Sequence, residues 1–298
     1  MGQKILVIGS SNTDMVFKTK EFPQPGETVL GQTFLMNPGG KGANQAVAAV
    51  RLGSQVRFIT KVGEDIFGKQ SLEGLEKEGL DLGYVLKTSD FPSGVASIVV
   101  NGKGENQIIV ASGANMDIKP ADLPDIIFEE SLMVLIQLEI PLDIVQYIVT
   151  KCKSRNLKVI LNPAPAQKLE DQLLNGLYLI TPNETETEIL TGILPVDANS
   201  LKEASLYFHR KGVENVIITL GKKGVYLSNN NYQEIIPAEE VVPVDTTAAG
   251  DVFNGAIVTA LSKGKDWVEA CQFACKASAI SVTRMGAQSS APYQHEVN

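Results

Sequence analysis

The sequence predicts an α/β protein: a doubly wound, mostly parallel sheet flanked by helices and carrying a small β-sheet lid. Three observations predict it. Short apolar runs bounded by Gly or polar residues recur along the chain, separated by segments with helical spacing, as in a parallel sheet covered on both faces. Strand after strand ends in a polar or Gly-bearing loop, where open α/β sheets bind ligands. Two β-rich stretches, about 12–36 and 94–111, break the alternation and supply the expected lid. A chain of 298 residues, 44% hydrophobic and 20% charged, suits one large α/β unit, expected as a single domain over 1–298.

Taken in order, residues 4–9 are an apolar run stopped by Gly, which suits a buried parallel strand. A polar loop, 10–14, follows at its C-terminal end, where Asn12 and Asp14 can grip a polar small molecule; an Asx turn is the local alternative. Residues 22–26 are turn-rich, and 27–36 can form one exposed strand. The Gly-rich turn at 37–42 opens a helix over 43–52. Helix-start amides, Lys41 and Asn44 there suggest a grip on a polyhydroxylated ligand, against a bare Gly-Gly turn. The Walker form of a phosphate loop is absent from the chain.

Helical spacing returns over 68–79, and the strands 95–100 and 107–110 flank a hairpin turn at 101–105. A buried strand over 132–138 ends at Glu139, a helix spans 142–152, and the strand 158–161 follows. Residues 178–181 lead to Asn183, Glu184 and Glu186, which cluster at the start of a helix; acidic residues there can equally complement the helix dipole. A strand over 216–220 ends at Gly221, a hairpin starts at 225–227, and the last long helix runs from 267 to about 284.

The stretch 244–255 carries the chemistry. A polar turn (Asp245, Thr246, Thr247) leads into Ala248, Ala249 and Gly250, then Asp251, then an apolar helical run over 252–261. Small residues at a helix start let an anion approach unpaired N–H groups. A carboxylate beside such a seat repels the anion unless it accepts a proton from whatever attacks it. Phosphoryl transfer to an alcohol needs this pair, although a helix cap followed by a solvated Asp is the plainer alternative.

Composition narrows the classes. With 34 acidic and 26 basic residues the formal net charge is −8, which disfavours nucleic-acid binding. Three Cys, an odd number, point to a reducing compartment, and neither a leader nor a membrane-length apolar run is visible, so a cytoplasmic protein is expected. Two His, far apart, do not suit a zinc site or a Ser-His-Asp triad. A dinucleotide fingerprint is missing after the first strand.

The runs Asn-Pro-Gly-Gly-Lys-Gly-Ala-Asn-Gln-Ala (37–46) and Asp-Thr-Thr-Ala-Ala-Gly-Asp (245–251) together resemble the two signatures of the ribokinase-type (phosphofructokinase-B-type) sugar kinases. Residues 9–14 and 283–290 extend the likeness over essentially the whole chain. The resemblance implies phosphorylation of D-ribose at its 5-hydroxyl by ATP; another sugar or a nucleoside, or a non-catalytic sensor on the same fold, are the alternatives. It implies that Asn12, Asp14, Gly40, Lys41, Asn44 and Glu139 hold the sugar, that Asp251 is the base, and that Ala248, Ala249 and Gly250 form the anion hole. Asn183, Thr219 and Gly221 would contact ATP, and Asn183 with Glu186 would be associated with magnesium. Asp245, Thr247 and Ser290, with backbone carbonyls of Ser281, Arg284 and Gly286, would bind potassium. Cys275 departs from the pattern, standing where some relatives place a His against adenine. A homodimer joined through the exposed lid strands is expected, with no nucleic-acid or membrane partner.

Overall fold

The computed structural model describes residues 4–297. The chain opens with β1 (Lys4–Ile8), β2 (Asn12–Lys18), β3 (Thr33–Gly39), α1 (Lys41–Arg51), β4 (Val56–Ile59) and β5 (Lys61–Gly63). Then come α2 (Ile66–Lys77), β6 (Leu86–Thr88), β7 (Gly94–Val100), β8 (Asn106–Ala111) and α3 (Asp125–Glu129). The middle alternates through β9 (Ser131–Ile136), α4 (Leu142–Lys153), β10 (Lys158–Leu161), α5 (Asp171–Leu174) and β11 (Leu179–Ile180). α6 (Glu184–Thr191), α7 (Ala198–Arg210) and β12 (Asn215–Thr219) continue it. The hairpin β13 (Val225–Ser228) and β14 (Gln233–Ile236) precedes α8 (Ala249–Ser262), α9 (Trp267–Val282) and α10 (Gln294–Val297).

The main sheet has 8 strands in the order β14-β13-β12-β11-β10-β9-β1-β4. Strands β12 to β4 are parallel, and the hairpin adds an antiparallel edge. From β1 the chain steps out to β4 on one side, then returns to β9 on the other. The winding therefore reverses beside β1, and a crevice opens beyond the C-terminal ends of β1 and β9. Strand residues alternate between two cores. Ile5, Val7, Met133 and Leu135 face one, with residues of α1, α8 and α9; Leu6, Ile8, Val134 and Ile136 face the other, with residues of α4 and α7. Each large apolar side chain so buried contributes roughly 1.5–3 kcal/mol relative to exposure, so both faces must be apolar and the strands read as continuous hydrophobic runs.

Gly255 decides how closely α8 approaches α1. A Cβ there would stand 2.6 Å from Ala48 Cβ and 2.7 Å from the backbone oxygen of Gln45. The two helices thus pack almost backbone to backbone, which brings their N-termini into the same crevice.

A second sheet has 4 strands in the order β3-β2-β7-β8, built from the two β-rich stretches seen in the sequence. β2 and β7 are parallel, with Asn12 opposite Gly94; the outer pairs are antiparallel. Phe34, Ile108 and Ile109 remain exposed on it.

Three expectations need correction. Asn12 and Asp14 lie on β2 and not in a polar loop, because pairing with β3 and β7 on both sides overrides the poor strand preference of Asn and Asp. The exposed strand expected over 27–36 starts at Thr33 and continues to Gly39. α8 begins at Ala249, so Asp251 sits inside its first turn.

Candidate active site

The crevice beyond β1 and β9 collects the starts of α1 and α8. Gly40, at φ 87°, turns the chain from β3 into α1, a left-handed geometry that favours glycine. No side chain of that turn caps the helix. Its first amides find tertiary partners: Lys41 N donates to Glu139 Oε2 at 3.0 Å, Gly42 N to Ser10 Oγ at 3.3 Å, and Ala43 N to the Ser10 carbonyl at 2.9 Å. The expectation that these helix-start amides grip a ligand is therefore corrected, since the protein already uses them. The side chains of Lys41 and Asn44 remain. Glu139 Oε2 also accepts from Ser10 Oγ at 2.5 Å, so that oxygen of a predicted sugar ligand is committed to holding α1.

α8 starts differently. Ala248 is left-handed at φ 59°, a conformation that costs an alanine roughly 1–2 kcal/mol. Among the described residues the amides of Ala248, Gly250 and Asp251 donate to no protein acceptor, whereas Ala249 N reaches the Thr246 carbonyl at 3.3 Å. A helix start with unpaired amides attracts an anion. Of the three predicted anion-hole residues, Ala249 is the one whose amide is partly taken.

Asp251 is 6% exposed. Asn44 Nδ2 donates to its Oδ2 and Gln45 Nε2 to its Oδ1, both at 2.9 Å. Burial pushes the carboxyl above its ordinary range and Glu139 adds to the rise, while Lys41, Asn44 and Gln45 pull it back. Asp14 is pushed up to about 6, first by burial and then by Glu139 and Asp251, against Lys41. Lys41 is held above its ordinary value, chiefly by Asp251 against the cost of burial, with Glu139, Glu186 and Asp14 adding to the rise. One ammonium thus offsets the mutual repulsion of four carboxylates. Asn12 is fixed from behind: Asn115 Nδ2 donates to its Oδ1 at 2.7 Å, while Asn115 Oδ1 accepts from Ser11 N at 2.9 Å.

Farther along the sheet, Asn183 caps α6. Its Oδ1 accepts from Glu186 N at 2.8 Å and Glu186 Oε2 accepts from Asn183 N at 2.9 Å. Burial pushes the Glu186 carboxyl up, against the Asn183 amide and Lys41. Asn183 bridges Thr219, whose amide donates to the Pro182 carbonyl at 2.9 Å, and Gly221 turns the chain at φ 54° just after β12. Asn183, Thr219 and Gly221 therefore meet at adjoining strand ends. Cys275 is only 6% exposed and packs into the core, where burial pushes its thiol up to about 12.

The segment 283–290 folds back on 245–247. Asp245 Oδ1 accepts from Thr247 N and Oδ2 from Gly286 N, both at 2.9 Å. Burial pushes this carboxyl up, but the Thr247 and Gly286 donors outweigh it and hold Asp245 below the ordinary range. Ser290 Oγ donates to the Ala287 carbonyl at 2.8 Å and Ser281 Oγ to the Ser278 carbonyl at 2.8 Å. The Arg284 side chain is committed to Glu296, leaving its carbonyl as the group it can offer here. Among the described residues no group of three or more His, Cys, Asp or Glu could hold a metal ion. The donors in this loop are one carboxylate, backbone carbonyls and hydroxyls.

Sequence reasoning missed Ser10, Gln45, Asn115, Gln137 and Asn162. All are buried, and Gln137 carried a signal: a polar residue inside the otherwise apolar run 132–138, one position beyond the end of β9.

The sequence profile of the pfkB family carbohydrate kinase matches residues 2–294. A ribokinase of Haemophilus influenzae is 46% identical over 298 residues, covering 99% of this chain and 97% of that protein. A crystal structure of ribokinase from Thermotoga maritima superposes with a TM-score of 0.91 at 42% identity, covering 99% of this chain and 98% of that one. The Arabidopsis thaliana ribokinase complexed with ribose and ATP superposes with a TM-score of 0.92 at 33% identity, covering 100% and 98%.

Proposed function

The chain belongs to the pfkB family of carbohydrate kinases, and on that premise we propose that it transfers the γ-phosphoryl group of ATP to the 5-hydroxyl of D-ribose, giving D-ribose 5-phosphate and ADP. The observation that carries this reading is Asp251. A buried carboxylate, oriented by two amide donors, shares the first turn of α8 with unpaired N–H groups. A carboxylate in that position serves an attacking alcohol and repels a resting phosphate. The ribokinases similar to this chain, one of them complexed with ribose and ATP, support ribose as the acceptor.

In this mechanism Asn12, Asp14, Gly40, Lys41, Asn44 and Glu139 hold the sugar, with Lys41 damping the repulsion among Asp14, Glu139 and Asp251. Asp251 orients the primary hydroxyl and takes its proton as the oxygen attacks the γ-phosphorus in line. The amides of Ala248 and Gly250, joined by Ala249 once its long bond to Thr246 yields, stabilise the charge on the transferring group. Asn183, Thr219 and Gly221 hold ATP, with Cys275 at the edge of the base. The four-stranded sheet acts as a lid that keeps water from competing with the sugar.

Magnesium arriving with ATP would supply charge neutralisation for the transferred group, and Asn183 with the partly committed carboxylate of Glu186 would be the residues nearest to hold it, as suits an ion that needs few protein carboxylates. Potassium suits the oxygen-only set of Asp245, Thr247 and Ser290 with carbonyls of 281–286; it would offset the Asp245 charge next to the anion seat. Exposed Phe34, Ile108 and Ile109 on the second sheet support a homodimer through the lid strands, which light scattering tests. Three free and buried cysteines suit the reducing cytoplasm.

The test is ADP release from ATP over a panel of sugars and nucleosides, with the product identified by phosphorus NMR. D-ribose is expected to give the highest kcat/KM and a 5-phosphate. A better hexose or nucleoside substrate identifies a different kinase of the same family, and binding without turnover of any of them identifies a sensor.

A further inference from the structure

Behind Asp251 lies a chain of buried amides whose direction is fixed by a backbone carbonyl. Asn162 Nδ2 donates to the Thr181 carbonyl at 3.3 Å, and a carbonyl can only accept, so Asn162 must present Oδ1 on its other side. That oxygen accepts from Gln45 Nε2 at 3.0 Å. The second hydrogen of the same Nε2 goes to Asp251 Oδ1 at 2.9 Å. The Gln45 oxygen accepts from Gln137 Nε2 at 2.7 Å. Turning the Gln45 amide over would set its oxygen against Asn162 Oδ1 and a carboxylate while stranding Gln137, so the donor stays on Asp251. Gln45 itself is fully buried, whereas Asn44, which holds Oδ2, is 7% exposed and is itself one of the predicted sugar residues.

We propose that Gln45 is a positioning residue for the base: it pins Asp251 Oδ1 and so leaves Oδ2 as the oxygen that meets the sugar hydroxyl. The proposal rests on the kinase reading above and deepens it. Gln45 touches no reacting atom and acts through Asp251 alone. Rotation of the carboxylate about its Cβ–Cγ bond exchanges the two oxygens, and a single donor at Oδ2 would not prevent it. The network does, because the Thr181 carbonyl fixes Asn162 and Asn162 with Gln137 fixes the Gln45 amide.

The same hydrogen bond favours the ionised form of the base, alongside Lys41 and Asn44. Asp251 is buried and faces Asp14 on β2, Glu139 after β9 and Glu186 on α6, all of which disfavour its charge; Lys41 on α1 favours it. Against three carboxylates and burial, a lost N–H donor cannot be replaced by water at a site this closed. A variant without the Gln45 donor therefore carries an Asp251 that takes up its proton at higher pH, and activity fails from the acid side earlier.

The experiment is first-turnover ADP formation with D-ribose from pH 5 to 9, so that product release does not mask the proton transfer, for wild type, Gln45→Met and Gln137→Met. The acid limb is expected to move up by at least ~1 unit in Gln45→Met. Gln137→Met frees the Gln45 amide without removing it and is expected to move the limb the same way by less, which keeps the proposal testable if Gln45→Met does not fold. KM for ribose is expected to stay within about threefold, since uniform binding is untouched. A limb that stays in place while the rate falls equally at every pH assigns Gln45 to packing and overturns the proposal. Wild type without any ADP release on ribose overturns the kinase reading and this proposal with it; a ribose-active wild type with unmoved variants overturns the proposal alone.

Discussion

Asn44 Nδ2 donates to Asp251 Oδ2 at 2.9 Å although 207 positions of chain separate the two residues. Each stands in the first half of a helix, Asn44 on α1 and Asp251 on α8, and the two motifs that the sequence shows far apart meet at this hydrogen bond and at the one from Gln45 to the other Asp251 oxygen. The contact depends on how closely the helices lie, and that depends on Gly255.

Gly255→Ala is the first test of that dependence. The added Cβ meets Ala48 Cβ and the Gln45 backbone at 2.6 and 2.7 Å, and backbone cannot swing aside as a side chain can. Overpacking of this kind costs about 1–3 kcal/mol. Urea unfolding is expected to register that loss, and kcat/KM to fall with it because Asn44 and Gln45 retreat from Asp251. A variant as stable and as active as wild type would show that the helix contact has slack.

Asp14 gives a prediction with a sign that depends on pH. Its carboxyl is raised from 3.8 to about 6 in the folded protein. The folded state therefore holds the proton more tightly than the unfolded chain between those values, and stability is lost as pH rises through that window. Asp14→Asn removes the loss. The variant is expected to be more stable than wild type at pH 7.5 by about 1–2 kcal/mol and no different near pH 4, while KM for ribose rises strongly and KM for ATP hardly moves. Denaturant titrations at the two pH values, with kinetics at the higher, check both halves. A variant less stable than wild type at pH 7.5 contradicts the account of Asp14.

Much of this was legible in the sequence, for reasons that can be named. Residues 158–161 read as a strand and are β10, because a strand buried on both faces must be apolar throughout. The glycines of the 37–42 turn marked the entry to α1, where Gly40 has a positive φ. The Asn183 to Glu186 spacing suits either a metal-associated pair or a helix cap, and in the structure the two residues form a reciprocal cap. Asn12 and Asp14 were misplaced because their strand is specified by its neighbours β3 and β7 and not by its own residues. The amide network was invisible for a different reason. Gln45, Gln137 and Asn162 are joined across spacings of 92 and 117 positions, and no local pattern encodes a partner that far away.

Asp245 carries the prediction for the monovalent cation. Its carboxylate is fixed by the Thr247 and Gly286 amides beside the anion seat, where uncompensated charge opposes a phosphate. In tetramethylammonium buffer with saturating magnesium-ATP, added potassium is expected to raise turnover several-fold, as suits a cation that preorganises the anion-hole donors, and sodium to do less. Asp245→Ala is expected to abolish the response. Equal rates with and without potassium would leave 245–247 a structural turn.

The central claim is that Asp251 takes the proton of the sugar hydroxyl, and Asp251→Asn tests it most directly. The substitution keeps size and the capacity to hydrogen-bond but removes the proton acceptor. First-turnover ADP formation with D-ribose is to be measured alongside ribose and nucleotide binding by calorimetry on the same folded protein. The account predicts a fall in rate of at least ~10²-fold, the lower range for general-base catalysis, with both ligands still bound. A folded variant turning over ribose within a few-fold of wild type would contradict it.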